Sequence, residues 1–572
     1  MSSQIPEKTQ VLVIGGGPGG SYAAACLAQE GLDVVVLEAD KFPRYHIGES
    51  MLASLRHFLR FVDLESVFEE HGFQKKAGAA FKFNATKREG YTDFVSRDPG
   101  NYSWNVVRSQ ADELMFRHAA KCGAVTLDGV KVTSVEWDQP SPAAGEPVPS
   151  GARPIAASWK TRDGATGRIA FDYVVDASGR AGILSTQYLK NRKLNNSLKN
   201  VACWAYWEGD GIGKYSPGTT REGSPFFEAL SDESGWCWFI PLHDGTTSVG
   251  LVIDQEISNK KKAELRAAAD PSIPEGLLGH YLTELKLAPR ILELIADGKL
   301  IASKDGAATV RSASDYSYSG SSYAGPGYRI VGDAGAFIDP YFSSGVHLAL
   351  SSGLSAAATI SASIKGDVSE TDAAEWHTAK VGTGYTRFLF VVWSAYRQIR
   401  SQSVPVLSDV DEDNFDRAFA HFRPVIQGNA DVGKDMSESE LQATIEFCTQ
   451  AYVEPSSPEE RAAVKARVGD LKIEEAVKAL DGNLSAVKNA SAKHVNGINS
   501  SMNGNGSANG VVGNGNADME GLDEREKRIA VGMTARKVMR SEDIEHIDNF
   551  IKDELNGYRI KLIKGSLSLE KA

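Results

Sequence analysis

The stretch Thr9-Gln10-Val11-Leu12-Val13-Ile14-Gly15-Gly16-Gly17-Pro18-Gly19-Gly20 decides the fold. A buried-strand run enters a glycine turn spaced Gly15-x-Gly17-x-x-Gly20. An Ala-rich helical stretch follows at residues 21–30, and then Asp33-Val34-Val35-Val36-Leu37-Glu38, a second apolar strand ending in an acid. Each part has a physical task. Gly15 permits the tight turn, Gly17 lets backbone approach a pyrophosphate, and Gly20 allows the helix to pack closely on the strand. The helix start offers unpaired N–H groups and a positive dipole end to that phosphate. Glu38, 18 residues beyond Gly20, stands where an acid binds ribose hydroxyls. A bare glycine triplet is a weak signal, but within strand, turn, helix, strand and acid it predicts a dinucleotide site.

Around this stretch lie 572 residues, 42% hydrophobic and 24% charged. That balance excludes a wholly disordered chain, and the length suits three or four units of about 150 residues each. Sixty-two basic residues against 74 acidic ones give a net charge of −12. Nucleic-acid binders usually carry a basic excess, and an acidic surface gains little from anionic lipid. Five cysteines without a Cys-x-x-Cys pair form no disulfide framework and point to a reducing, cytoplasmic setting. Residues 11–28 carry no charge but are broken by six glycines and prolines in a row, so no transmembrane segment is expected. Residues 1–10 are polar, with Glu7 and Lys8, and make a poor signal peptide.

Composition divides the chain. Residues 1–200 and 325–370 read as the nucleotide-binding core. Residues 200–325, aromatic and alternating, read as an antiparallel sheet forming a substrate region. Residues 370–481 are periodic and charged, a helical cap over the substrate. Between 482 and 518 there are nine Asn, seven Gly and five Ser and no aromatic residue; such a segment cannot offset its ordering entropy and reads as a flexible linker. Its four Asn-x-Ser triplets are chance products of that composition. Residues 519–572 read as a closing helical segment. Five prolines between 138 and 154 mark a loop between two strands.

Two more strand ends specify the nucleotide. Val174-Val175-Asp176-Ala177-Ser178-Gly179-Arg180 and Tyr328-Arg329-Ile330-Val331-Gly332-Asp333 complete a trio that resembles the glutathione-reductase-type FAD fold of aromatic hydroxylases, an α/β Rossmann-like architecture. The resemblance implies that Asp333 binds the ribityl chain of FAD. Arg108, in Val106-Val107-Arg108-Ser109-x-x-Asp112, matches an Arg beside the flavin. Its bland alternative is an ion pair with Asp112 along one helix face.

Four strings narrow the chemistry. In Gly235-Trp236-Cys237-Trp238-Phe239-Ile240-Pro241 a strand's period of two puts Trp236, Trp238 and Ile240 on one face. Gly72-Phe73-Gln74-Lys75-Lys76-Ala77-Gly78 holds two adjacent lysines, of which an extended chain points only one inward. Phe337-Ile338-Asp339-Pro340-Tyr341-Phe342-Ser343-Ser344-Gly345 is a turn entering a small-residue helix, and Pro43-Arg44-Tyr45-His46-Ile47-Gly48-Glu49-Ser50 follows the second strand. Taken singly, these are core tryptophans, a solvated lysine pair and a helix cap. Together they resemble the flavin-dependent halogenases, over residues 8 to about 400, and within them the fungal halogenases of phenols and aromatic polyketides. The family's lysine falls on Lys76, with Lys75 as the remaining candidate. Its tunnel motif falls on Trp236, Trp238, Ile240 and Pro241, and its halide contacts on the amides of Ser344 and Gly345. Phe342 stands where tryptophan halogenases carry a Glu, as in halogenases of phenols.

The resemblance implies an enzyme that uses reduced FAD, O₂ and chloride or bromide, without a metal. Flavin C4a-hydroperoxide would yield hypohalous acid, which Lys76 would pass to a small phenolic substrate. A separate flavin reductase would supply the reduced cofactor. A flavin aromatic hydroxylase is the main alternative, and a non-catalytic flavoprotein or an isoprenoid reductase would share the fold. Cys203 and Cys237 read as buried core thiols. Residues 387–397 read as a helix packed on the core, or else as an aromatic wall of the substrate pocket.

Overall fold

A computed structural model describes residues 5–400, 402, 463, 467, 526 and 554–572, except 86–87, 97, 142–144 and 303–307. The chain divides into two compact units. One holds Met1–Gln402, Phe422–Ser437 and Ile544–Ala572, and the other holds Ser403–His421 and Glu438–Asp543. All that follows concerns the first. The linker expected at 482–518 and most of the cap expected at 370–481 lie outside the described residues.

Two sheets organise this unit. In the first, Tyr328–Ile330, Thr166–Asp176, Lys8–Ile14, Val34–Glu38 and Val125–Asp128 run parallel in that spatial order. Their apolar runs are buried on both faces, with Val11, Val13, Val35, Val36, Val174 and Val175 all fully covered; a parallel sheet sandwiched by helices demands this. The helix Pro18–Gln29 covers one face and packs against Gly345–Lys365. The contact is close: a Cβ added at Gly353 would stand 2.8 Å from the Gly19 carbonyl oxygen. Val130–Trp137 and Pro154–Thr161 extend the sheet as an antiparallel pair around the proline-rich loop.

The second sheet is not confined to residues 200–325. It runs Lys299–Leu300, Arg192–Glu208, Thr247–Asp254, Gly235–Pro241, Phe226–Ala229, Gly78–Lys82, Gly90–Asp93, with Arg311–Gly320 also paired to Arg192–Glu208. Gly78–Lys82 joins Phe226–Ala229 in parallel, so the sheet is mixed rather than purely antiparallel. Three helices, Gln255–Ala268, Gly276–Leu285 and Pro289–Ile295, are inserted within it. Cys203, Cys237, Phe226 and Phe239 pack with Tyr281, Leu285 and Ile291 of these helices. The four described cysteines are free.

The helical reading of 519–572 fails where the structure describes it. Tyr558–Lys561 and Ser568–Lys571 form an antiparallel hairpin. Its sequence alternates, with Tyr558, Ile560 and Leu562 separated by Arg559 and Lys561, which is strand periodicity. Ile560, Leu567 and Leu569 are buried in the core of the nucleotide-binding half. Glu30 accepts from the amides of Gly565 and Leu567 and pairs with Lys365 at 2.7 Å, so the chain's end is stapled to both helices. Among the described residues, no helix is long and apolar enough to cross a membrane.

Candidate active site

The glycine turn does in space what its spacing requires. Gly15 has φ +101°, and an added Cβ would meet the Ala177 carbonyl oxygen at 2.3 Å. At Gly20 it would meet the Gly15 oxygen at 2.0 Å. Gly17 is different: only the tip of Arg44 lies near, at 3.4 Å, and the residue opens onto a cavity of about 540 Å³. Glu38 closes the second strand at the same cavity, accepting from the amides of Gly16 at 2.6 Å and Asp40 at 2.8 Å. Its carboxylate is thereby fixed at the rim.

Arg108 makes the ion pair offered for it and also lines the cavity. Its Nε and Nη2 donate to the two oxygens of Asp112, at 2.8 and 3.0 Å, as an i,i+4 pair. Its Nη1 donates to the carbonyls of Ile47 and Gly48, and the residue lines the cavity. Arg44 adds a second cation to Asp112 at 2.9 Å. Arg108 most strongly, and then Arg44, hold the Asp112 carboxyl below its usual range in spite of burial. Asp333 lines the cavity too; desolvation pushes its carboxyl up to about 6, against the pull of Arg180, Arg108 and Arg192. Asp176 instead turns inward, accepting from Ser178 and from the Leu184 amide. Gly17, Glu38, Arg108 and Asp333 thus surround one space whose volume suits a bound cofactor, and the open glycine, carboxylate rim and basic strap fit FAD.

The tryptophan strand behaves as its period predicts. Trp236, Trp238 and Ile240 line the cavity, and Cys237 and Phe239 face the opposite core. The two indoles lie 5.8 Å apart by centroid, with Trp204 6.5 Å from Trp238. Trp238 Nε1 donates to Ser248, and Trp236 Nε1 to the Tyr396 hydroxyl. Pro241 does not line the cavity; its carbonyl accepts from Asn105.

The lysine pair is resolved. Lys75 is exposed and bound to Glu69 at 2.7 Å. Lys76 is 1% exposed, and its Nζ donates at 2.8 Å to Ser50 Oγ and to the Met51 carbonyl. Ser50 lines the cavity, so the amine sits one side chain behind it. Desolvation alone holds the ammonium down to about 7.

At the third string, Ser343 takes φ +58° and turns the chain into the helix Gly345–Lys365. The first amides of a helix have no intrahelical acceptor. Gly345 lines the cavity, and a Cβ added there would meet nothing within 4 Å. Ser344 is fully buried and its Oγ has no partner among the described residues. Ser344 itself does not line the cavity; a small anion beside Gly345 would meet the unpaired amides of the helix start.

Local sequence did not reveal Asp339, Asn200 and Tyr396. Tyr396 Oη donates to Asp339 at 2.6 Å and receives from Asn200 and from Trp236. This ties the helix Glu370–Ile399 to the tryptophan wall and the Ser344 turn. Phe388, Val392, Tyr396 and Ile399 are buried on that helix; the side chains of Arg387, Phe390, Trp393, Ser394 and Arg397 lie outside the described residues.

These features define the class as an FAD-dependent halogenase fold. The chain matches the tryptophan halogenase family model over residues 10–102 and 100–277. It is 52% identical to the flavin-dependent halogenase ascD of Acremonium egyptiacum, over 100% of this chain and 94% of that one. To the sulochrin halogenase gedL of Aspergillus terreus it is 45% identical, over 99% and 94%. Among solved structures, the myxobacterial chondrochloren halogenase CndH, an FAD-dependent halogenase, aligns with TM-score 0.59 at 26% identity, covering 78% of this chain and 98% of that one. The chain belongs to the flavin-dependent halogenases and is an oxidoreductase that uses FAD.

Proposed function

We propose that this halogenase chlorinates or brominates an activated phenolic ring of a polyketide-type natural product. It would work in the cytoplasm with reduced FAD from a separate reductase. The buried Lys76 amine beside the flavin cavity is the observation that carries the reading. When bound, reduced FAD with O₂ supplies the oxidation of halide to hypohalous acid. The amides of Ser344 and Gly345 hold the halide. The Trp236, Trp238 and Ile240 wall keeps the aromatic substrate off the flavin and so suppresses direct oxygen transfer. Lys76 receives the electrophilic halogen, by hydrogen bond as ammonium or by an N–halogen bond as amine.

Phe342 supports a phenol rather than an indole. It is buried against Phe81 at 5.3 Å and Tyr341 at 4.9 Å, so aromatic rings surround the position where a Glu would stand. The relative named for sulochrin is consistent with this. The test is mass spectrometry of resorcinol-type lactones incubated with enzyme, FAD, a flavin reductase, NADH and either chloride or bromide. Products should carry the isotope pattern of whichever halide was supplied. A product with one added oxygen, indifferent to halide, would favour the hydroxylase reading instead.

Gly345→Ala gives a second expected result. The methyl meets no protein atom, so the variant melts with the parent. It occupies the space before the helix amides, and the half-saturating halide concentration rises by about tenfold, or about 1.4 kcal/mol. An unchanged halide dependence would remove Gly345 from the halide site.

A further inference from the structure

One residue of the strap between the second strand and Lys76 is not used by the chemistry above. Glu49 is 3% exposed and lines the cavity. Its Oε1 accepts from Tyr206 Oη at 2.6 Å, while Oε2 is buried, with the Ser248 hydroxyl also acting on the carboxyl. Tyr206 Oη lies 3.0 Å from Tyr45 Oη, which accepts from Trp204 Nε1 at 2.6 Å. With Glu49 ionised the donor order follows. Tyr206 spends its one proton on Glu49, so Tyr45 donates to Tyr206. Tyr45 is 41% exposed, with the Arg311 guanidinium 3.7 Å above its ring. A hydrogen-bonded line therefore runs from exposed Tyr45, which itself lines the cavity, through Tyr206 to the buried Glu49 carboxyl on the same cavity.

The reaction needs such a line. One reduced flavin, one O₂, one halide ion and one proton give one oxidised flavin, one hypohalous acid and one water. Each turnover draws one proton from solvent into a cavity walled by tryptophans. We propose that Tyr45, Tyr206 and Glu49 form the proton relay that supplies it. Glu49, whose side chain lines the cavity, releases the carboxyl proton into it. Tyr206 reprotonates Oε1, Tyr45 reprotonates Tyr206, and solvent reprotonates Tyr45. Rotation of the carboxyl and the two hydroxyls resets the chain.

The surroundings poise Glu49 for the task. Desolvation pushes its carboxyl up to about 7, opposed by the hydroxyls of Tyr206 and Ser248 and by Arg108, with Asp244 adding to the rise. These groups come from the strands Arg192–Glu208 and Thr247–Asp254, the Arg108 helix and the turn at Asp244. At neutral pH both the donor and acceptor forms of Glu49 are populated, the condition for efficient general acid catalysis.

The inference rests on the halogenase reading, and its test separates the two. The first measurement is infrared difference spectroscopy of the FAD-loaded enzyme across neutral pH, independent of turnover. A protonated-carboxyl band should titrate near 7 in the parent, vanish in Glu49→Gln and shift in frequency in Tyr206→Phe. The second is halogenation against pH. Tyr206→Phe should lose roughly 10²-fold, within the range for a positioned proton donor. Tyr45→Phe, at an exposed position that tolerates the change, should lose about tenfold on the same scale, most above neutral pH. Absence of a titrating band assigned to Glu49 would overturn the relay. So would rates and pH profiles of Tyr45→Phe and Tyr206→Phe that match the parent. A parent enzyme yielding no halide-dependent product would overturn the halogenase reading instead.

Discussion

Lys76→Met should leave FAD binding and the oxidation of reduced flavin by O₂ in place and lower aryl halogenation by roughly 10³-fold, the scale of a positioned nucleophile or acid. Met fills nearly the same volume, so packing around Phe94, whose ring lies 5.1 Å from Nζ, is kept. What disappears is the amine that donates to Ser50 and Met51. Stability moves the other way. The folded state holds the ammonium at about 7 against an ordinary 10.5. Between those values the unfolded chain binds a proton that the folded one does not, so the parent gains stability as pH rises. Below 7 both states are protonated, and the contribution of this group is flat at its least favourable. Lys76→Met removes that slope. Melting both proteins across this window checks the desolvation, and liquid chromatography of halogenated product checks the chemistry. A variant that halogenates at the parent rate would end the proposed role of Lys76.

Legibility in the sequence followed the range of the interactions. The glycine turn was readable because strand, turn, helix and acid lie within 30 consecutive residues. The alternation of Trp236 and Trp238 was readable for the same reason, and Cys237 faces the other way as a strand requires. The lysine pair left two candidates, and only burial separates them. The second sheet was assigned too narrow a span. Gly78–Lys82 pairs with Phe226–Ala229 across some 145 residues, and a short apolar strand carries no mark of so distant a partner. At the end of the chain the charges favour a helical reading, while the period of two at Tyr558, Ile560 and Leu562 carries the strand. Glu49 lies in a string that shares in the family resemblance, but its chemistry depends on Tyr206, 157 residues away. Asp339 and Tyr396 are 57 apart and Tyr396 and Trp236 are 160 apart. Buried polar groups must find partners, yet nothing in the local pattern names them.

Gly20→Ala and Gly17→Ala should separate the two duties of the glycine turn. At Gly20 the new methyl carbon would stand 2.0 Å from the Gly15 carbonyl oxygen and 3.0 Å from Ala177 Cβ. Both obstacles are backbone or backbone-fixed, and the helix Pro18–Gln29 is already wedged against Gly345–Lys365. The helix cannot retreat, so the variant should lose at least about 3 kcal/mol, the upper part of the overpacking range, and be recovered poorly folded and without flavin. At Gly17 the nearest atom is the flexible end of Arg44 at 3.4 Å. That variant should fold and melt like the parent. Its methyl, however, projects where a pyrophosphate must approach the helix start, and FAD affinity should fall by roughly 100-fold, or about 2.7 kcal/mol. Circular dichroism melting and flavin fluorescence titration read the two effects independently. Gly17→Ala binding FAD normally would move the phosphate away from this turn. Gly20→Ala folding normally would mean that the helix has room that the 2.0 Å contact denies.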